Sequence, residues 1–562
     1  MADKKKMAIA GLASILVVAM VVAVAVGVSK KSTGGDENLS SSTKAAHSIC
    51  APTDYKETCE ASLANATSDD PKELVKAAFE ATVKDIESAI KSSSLLNAAA
   101  ADDRTKGALE VCKEVLHDSV DDLRRSFDRV DEFEMSKMQE YVEDVKTWLS
   151  GAIAHQDACL DAFLNTTGET GDKMKILLQT SGELLSNGLA MVDSFSSMFS
   201  SLGLDSFFSS SHRRLLSDQP PHWVDATARK LMEASPAAVK KDIVVAQDGS
   251  GDFKTITEAI NSLAKKSNES IVVHVKAGVY KETVIVPKNV NNVKLIGDGP
   301  LVTRILGNKN YADGTSTYHT AVLAVNADGF MAKDIGIENT AGAEKHQAVA
   351  VRVSGDKAVF YNVHMDGYQD TLYTHSYRQY YRDCLISGTI DFIFGDAAAI
   401  FQKCKLVVRK PMENQACMVT AQGRKDRRSI GVTVLQGCAI VADPAFLAVT
   451  PPVNAYLGRP WKEFSRTIIM QSYIGGFISP DGWSPWMGSF ALDTLYYGEY
   501  QNKGPGADMS KRVTWKGIQK MTPEIAESFT AAKVYQGDEW VKAAGVPYDA
   551  GMMSASSLLS PN

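Results

Sequence analysis

Between residues 73 and 195 apolar side chains recur at helical spacing, in segments 73–90, 107–130, 136–163 and 174–195. Leu109, Val111, Val115 and Leu116 mark one face of the second segment. Short polar connections between four such segments predict an antiparallel all-α four-helix bundle. From residue 241 the period changes. Short β-branched runs at 242–246, 271–275 and 292–297 are separated by turn residues. Similar runs recur at 321–325, 331–337, 347–353, 357–365, 378–386, 399–408, 431–441 and 466–474. A recurrence of about 20–25 residues predicts the coils of a parallel β-helix. Spacing alone leaves an antiparallel sandwich as the alternative.

A third pattern lies at the start. Met7 to Val28 is apolar, with Lys4-Lys5-Lys6 before it and Lys30-Lys31 after it. These 22 residues are long enough to span a bilayer. They predict a signal anchor within residues 1–30 in preference to a cleaved signal peptide. The basic flank places the N-terminus in the cytoplasm. Either reading sends the rest of the chain into the secretory pathway. Glycosylation sequons at Asn38, Asn65, Asn165 and Asn268 agree. The eight cysteines, none in a CxxC pair, read as disulfide formers rather than metal ligands. Cys50 and Cys59 would staple an N-terminal hairpin, and Cys112 and Cys159 would tie the second helix to the third. Cys384 and Cys404, one coil apart, would staple adjacent coils; Cys417 and Cys438 repeat the spacing and are left open.

The net charge of −7 is unevenly spread. Residues 241–562 carry 34 Lys and Arg against 31 Asp and Glu, and the preceding residues 26 against 36. The slightly basic later part would suit an acidic polysaccharide; nothing points to nucleic acid. The polar segment 201–240 holds two basic pairs, Arg213-Arg214 and Arg229-Lys230, each followed by two apolar residues. Both are predicted sites for a processing protease.

The candidate chemistry is a pair of acids. Asp370 lies in Gly367-Tyr368-Gln369-Asp370-Thr371-Leu372-Tyr373, and Asp391 in Gly388-Thr389-Ile390-Asp391-Phe392-Ile393-Phe394-Gly395. A carboxylate in such apolar surroundings is costly unless paired or used. In a solenoid, positions one coil apart stack at the strand spacing of roughly 4.8 Å. Two acids would then share one groove, a geometry for acid–base and nucleophilic work.

Ile49-Cys50, Thr53-Asp54-Tyr55, Cys59 and Leu63, with the two later cysteines, resemble the plant invertase and pectin methylesterase inhibitor family over residues 45–200. A second set carries another resemblance. It comprises Gly251-Asp252-Phe253-Lys254-Thr255-Ile256, Gly278-Val279-Tyr280-Lys281-Glu282, His346-Gln347-Ala348-Val349-Ala350, the two aspartate motifs, Tyr456-Leu457-Gly458-Arg459-Pro460-Trp461 and Phe490–Tyr500. Over residues 241–548 this resembles the plant pectin methylesterases, leaving 549–562 as a tail. The resemblance implies a right-handed parallel β-helix that hydrolyses the methyl esters of pectin. It implies Asp391 as nucleophile, Asp370 as proton donor and base, and Gln369 as oxyanion stabiliser. It implies substrate contacts from Thr317, Gln347, Arg459 and Trp461, and it supports the Cys384–Cys404 disulfide. Arg459 would keep Asp391 ionised. No metal or organic cofactor is required. The whole resembles a monomeric precursor, open to inhibition by a four-helix-type protein, passing through the Golgi membrane and ending in the cell wall.

Some positions depart from the family's usual pattern: Asp426-Arg427-Arg428-Ser429 after Arg424, His319-Thr320, and Asp396 after Gly395. A serine esterase lacks its GxSxG elbow here. Paired acids would also serve a glycosidase on the same solenoid, and a non-catalytic inhibitor module is the third alternative.

Overall fold

The computed structural model describes residues 40–100, 102–131, 138–201, 242–263 and 269–554. The Met7–Val28 run, Asn38, Asn268, Arg213, Arg214, Arg229 and Lys230 lie outside them. Among the described residues no helix is long and apolar enough to cross a membrane. Two compact units result, one mainly helical and one mainly β.

The helical unit opens with a hairpin, α1 (Ser41–Cys50) and α2 (Lys56–Leu63). Ser40 starts α1 by accepting from the Thr43 amide at 3.2 Å. Cys50–Cys59 closes the hairpin, as expected. Asn187 grips its turn, donating to Tyr55 O at 2.8 Å and accepting from Tyr55 N at 3.1 Å. The long helices are α3 (Pro71–Ala99), α4 (Asp103–Asp131), α5 (Met138–Asp161) and α7 (Gln179–Ser201), with the short α6 (Thr170–Leu177) leading into the last. The apolar face read from the sequence is buried: Leu109, Val111, Val115 and Leu116 are each at most 1 % exposed. Cys112–Cys159 joins α4 to α5. Asn65 and Asn165 are both exposed.

Among the described residues of the β unit every strand pairing is parallel, which removes the sandwich alternative. Among the described residues three sheets of eleven, seven and eight strands run along the solenoid. Each predicted run from 357 to 474 is in fact two strands meeting at a corner, for example Arg378–Arg382 and Leu385–Gly388. The corner residue sits at positive φ: Asn362, Asp383, Lys403 and Gln471 in successive turns, with Gly437 between the last two. Asn and Asp enter this left-handed region most readily among non-glycine residues. Inside, Phe360, Tyr381 and Phe401 stack with ring centroids 5.0 and 4.4 Å apart. The helix Ile256–Asn261 buries Ile256, Ala259 and Ile260 in the same core. Glu282 of the Gly278–Glu282 motif accepts from the Ile256 and Thr257 amides at 3.0 and 2.9 Å, so that motif secures this helix.

Gln402, Gln436 and Gln471 form an amide ladder, linked at 2.8 and 3.2 Å. Their amides donate onward to the carbonyls of Asp549, Gly551 and Met553. The described part of the tail is thus strapped across three coils.

The Cys384–Cys404 disulfide is not formed. Both are buried thiols, as are Cys417 and Cys438. Cys384, Cys404 and Cys438 precede strand residues in one register, Leu385, Lys405 and Ala439. The three thiols are hydrogen-bonded in a row, Cys384 to Cys404 and Cys404 to Cys438, and each sulfur also meets the backbone: Cys384 Sγ with Phe360 O at 3.5 Å, Cys404 Sγ with Tyr381 O at 3.6 Å, Cys438 Sγ with Phe401 O at 3.3 Å. Burial raises Cys384 and Cys404 well above the usual thiol range and takes Cys417 up to about 12, so all three stay protonated.

Candidate active site

The aspartates end the loops that lead into two strands, Leu372–Thr374 and Ile393–Gly395. These are neighbours in the seven-stranded sheet, with Leu372 opposite Ile393 and Tyr373 opposite Phe394. Asp370 and Asp391 therefore share one register position, two residues before each strand. Both have a left-handed backbone, φ 63° and 50°. The surrounding turns over-determine that conformation. Asp370 N donates to Ile390 O at 3.1 Å and Thr389 N to Tyr368 O at 2.9 Å. Gly388 permits this approach: a Cβ there would lie 2.7 Å from both Thr371 Oγ1 and Tyr368 O.

Arg459 follows the strand Ala455–Gly458 and is anchored by its amide to Thr420 O at 3.0 Å. Its Nε donates to Asp391 Oδ1 at 2.8 Å and its Nη2 to Oδ2 at 2.6 Å. This fork occupies both carboxylate oxygens in a fixed plane. The Trp486 ring lies 4.3 Å from the same guanidinium. Among the described residues Asp370 has no such cation of its own, and both acids are buried, 8 % and 5 % exposed.

Burial pushes Asp370 well above the usual carboxylate range, and the Asp391 charge adds to it against the pull of Arg459. Burial also raises Asp391, with Arg459 opposing. Desolvation outweighs the ion pair, so Asp391 lies above its ordinary value, while Arg459 still favours its ionised form. Asp370 is raised further, because it feels the Asp391 charge and carries no fork of its own.

A raised carboxyl binds its proton more tightly folded than unfolded. Its stabilising contribution is complete below the unfolded pKa of about 3.9 and is lost as pH rises through the folded value. Asp370→Asn should therefore raise the melting temperature at neutral pH. That gain should shrink to nothing as pH approaches about 4, which thermal unfolding at a series of pH values will measure.

Gln369 and Gln347 are both half-buried and lie on successive coils, where Ala348 N donates to Gln369 O at 3.2 Å. Thr317 is half-buried in the 3-10 turn Thr317–His319. Its neighbour Tyr318 meets Tyr373 edge-on at 6.4 Å. Trp461, with its amide on Gln422 O at 3.3 Å, sets its ring edgewise to Tyr373 at 6.3 Å and to Phe394 at 5.8 Å. Tyr373 and Phe394 stack at 4.3 Å. The sequence reading missed Tyr373, Phe394 and Trp486. Leu372 and Ile393 lie in the core and Tyr373 and Phe394 take the opposite face, an alternation that three-residue strands are too short to show in the sequence. Nothing in the local pattern marks Trp486.

An arginine-held carboxylate stands one coil from a second buried carboxyl raised well above its ordinary range, with Tyr373, Phe394 and Trp461 packed together beside the two strands. Such a site suits acyl chemistry on an uncharged ester.

Comparison with known proteins agrees. The family described as Pectinesterase matches residues 242–538, and Plant invertase/pectin methylesterase inhibitor matches residues 44–191. A pectinesterase/pectinesterase inhibitor of Arabidopsis thaliana is 51 % identical over 98 % of this chain and 76 % of its own. A pectinesterase of Petunia integrifolia is 54 % identical over 67 % of this chain and 99 % of its own. Among solved structures, the pectin methylesterase from carrot superposes with a TM-score of 0.55 at 48 % identity, covering 56 % of this chain and 99 % of that one. The chain belongs to the pectinesterase family and is a carboxylic ester hydrolase of that kind, with an inhibitor-family domain ahead of the esterase.

Proposed function

We propose that this chain removes methyl groups from cell-wall homogalacturonan by way of an acyl-enzyme on Asp391. The observation that carries the reading is the fork from Arg459 onto Asp391 beside a second carboxyl, Asp370, at the same register one coil away. An Asp391 oxygen attacks the ester carbonyl carbon. The carbonyl oxygen becomes an oxyanion and accepts from the side-chain amides of Gln347 and Gln369; one donor of this kind is worth about 2.7–4 kcal/mol. Collapse expels methanol, which takes the Asp370 proton. The resulting mixed anhydride is opened by water that gives a proton back to Asp370. The galacturonate carboxylate leaves and Asp391 is free again. Activity thus needs Asp391 ionised and Asp370 protonated, a state favoured by the Arg459 fork on Asp391 alone and by the Asp391 charge acting on Asp370. Thr317 and Trp461 border the bound sugar chain.

In this reading residues 1–30 anchor the precursor, 45–200 form a pro-region, 201–240 a linker, 241–548 the enzyme and 549–562 its tail. The pro-region keeps the enzyme silent or aids export until a protease cuts at Arg213-Arg214 or Arg229-Lys230. The mature, monomeric enzyme then works in the cell wall and is open to inhibition by four-helix proteins.

Methylated pectin given to the full chain, before and after proteolysis in the linker, tests the reading. Methanol without new reducing ends is expected, several-fold faster after cutting. New reducing ends would mean glycoside cleavage instead, and equal rates before and after would remove the autoinhibitory role.

A further inference from the structure

Arg409 lies outside the set of residues that reach the ester, yet it grips the turn that carries two of them. It follows the strand Lys405–Val408, which belongs to the coil after the one that starts at Arg378. Its amide donates to Gly388 O at 2.8 Å, at the start of the Asp391 loop. Its side chain reaches back to the Asp370 loop: Nη1 donates to Gly367 O at 2.9 Å and Nη2 to Tyr368 Oη at 2.9 Å. The guanidinium carbon lies 4.0 Å from the Tyr368 ring centre. Tyr368 immediately precedes Gln369 and Asp370, and its carbonyl accepts from Thr389 N at 2.9 Å. The far end of the same loop closes the bracket, with Met418 N donating to Thr389 O at 3.1 Å and Phe392 N to Met418 O at 3.3 Å.

We infer that Arg409 is a positioning residue that locks the Gly367–Asp370 turn against the Gly388–Asp391 turn, and so sets where the Gln369 amide and the Asp370 carboxyl stand relative to the ester. A planar guanidinium suits this: its directed donors reach one carbonyl and one phenol at once while its carbon stays close to the ring. A lysine ammonium could satisfy one of these but not the set. Small displacements at such a turn weigh on the rate because catalytic geometry tolerates less than about 1 Å of error.

The inference rests on the proposed roles of Gln369 and Asp370. The test measures kcat and KM for methanol release by the full chain carrying Arg409→Met, well below its melting temperature. We expect kcat to fall about tenfold with KM changed less than twofold. Millimolar guanidinium should restore several-fold of the loss, whereas sodium at equal concentration should not. Arg409→Lys should recover only part of the rate. Tyr368→Phe removes one acceptor and leaves the fold's packing in place; it should lower kcat about twofold to threefold and serves if the Arg409 variants do not fold. An unchanged kcat with only a lower melting temperature, or a rise in KM at constant kcat, would overturn the inference. Failure of the underlying reading looks different: Gln369→Ala would then keep full kcat whatever the Arg409 variants do.

Discussion

Replacing Asp391 with Asn should reduce methanol release by about 10⁴-fold or more, since an amide cannot serve as the nucleophile that the two-step route requires. The loss should fall on kcat and should not be mended by raising pH or substrate. The fold should persist, because an Asn oxygen still accepts one of the two bonds that Arg459 now makes at 2.8 and 2.6 Å. Steady-state methanol assays with circular dichroism as the folding control measure both parts. Wild-type turnover in a folded variant would sink the nucleophile assignment.

Arg459→Met should have the second-largest effect, and on two quantities. Cutting a buried ion pair on one side strands the other charge, at about 3–5 kcal/mol. Here part of that cost is avoided, because burial already raises Asp391 and the carboxylate can take up a proton. The consequence then moves into the pH–rate profile. Without Arg459 opposing desolvation, Asp391 stays protonated to higher pH, so the acid limb shifts upward. Its neighbour no longer feels a full negative charge there, and the gap between the two acids narrows. We expect kcat/KM at neutral pH to drop about 10³-fold, with Arg459→Lys in between because it keeps the charge without the fork. An acid limb that stays in place would show that Arg459 does not control the ionisation of Asp391.

The sequence displays the pair of buried acids more clearly than the strands that carry it. Asp370 and Asp391 stand out because acids are expensive among Tyr, Phe, Ile and Gly, and their spacing of one coil survives in the structure as a shared register position. The strands after them, Leu372–Thr374 and Ile393–Gly395, have three residues each and went unread. Three residues are too few to set a period, and their pairing partners lie a whole coil away. The same limit fused pairs of strands into single runs at 378–386 and 399–408. The corners there are made by Asp383 and Lys403, and a lysine at positive φ gives no turn signal. The bundle was easier to read because helix packing writes its period into consecutive residues, and the cysteines at 50, 59, 112 and 159 form the expected bridges. The same argument from spacing failed at Cys384 and Cys404. Inside a solenoid any residue repeats its position each coil, so equal spacing brings sulfurs into line without choosing a pair, and Cys438 shares that line. Arg459 and Trp461 are legible only through the Tyr456–Trp461 motif and Trp486 not at all, because they come from far along the chain and the winding alone sets Arg459 on Asp391, Trp486 on Arg459 and Trp461 beside Tyr373 and Phe394.

The covalent step is the centre of the account, and an activated ester isolates it. In Asp370→Asn the proton donor and base are gone, but a p-nitrophenyl ester of a short galacturonate oligomer needs no help in losing its leaving group. Stopped-flow absorbance should then show a rapid burst of one p-nitrophenol per enzyme, followed by slow turnover as the Asp391 anhydride waits for water. The burst should vanish when Asp391 is also changed to Asn. A burst that persists in the double variant, or steady release with no burst in the single one, would contradict an acyl-enzyme on Asp391.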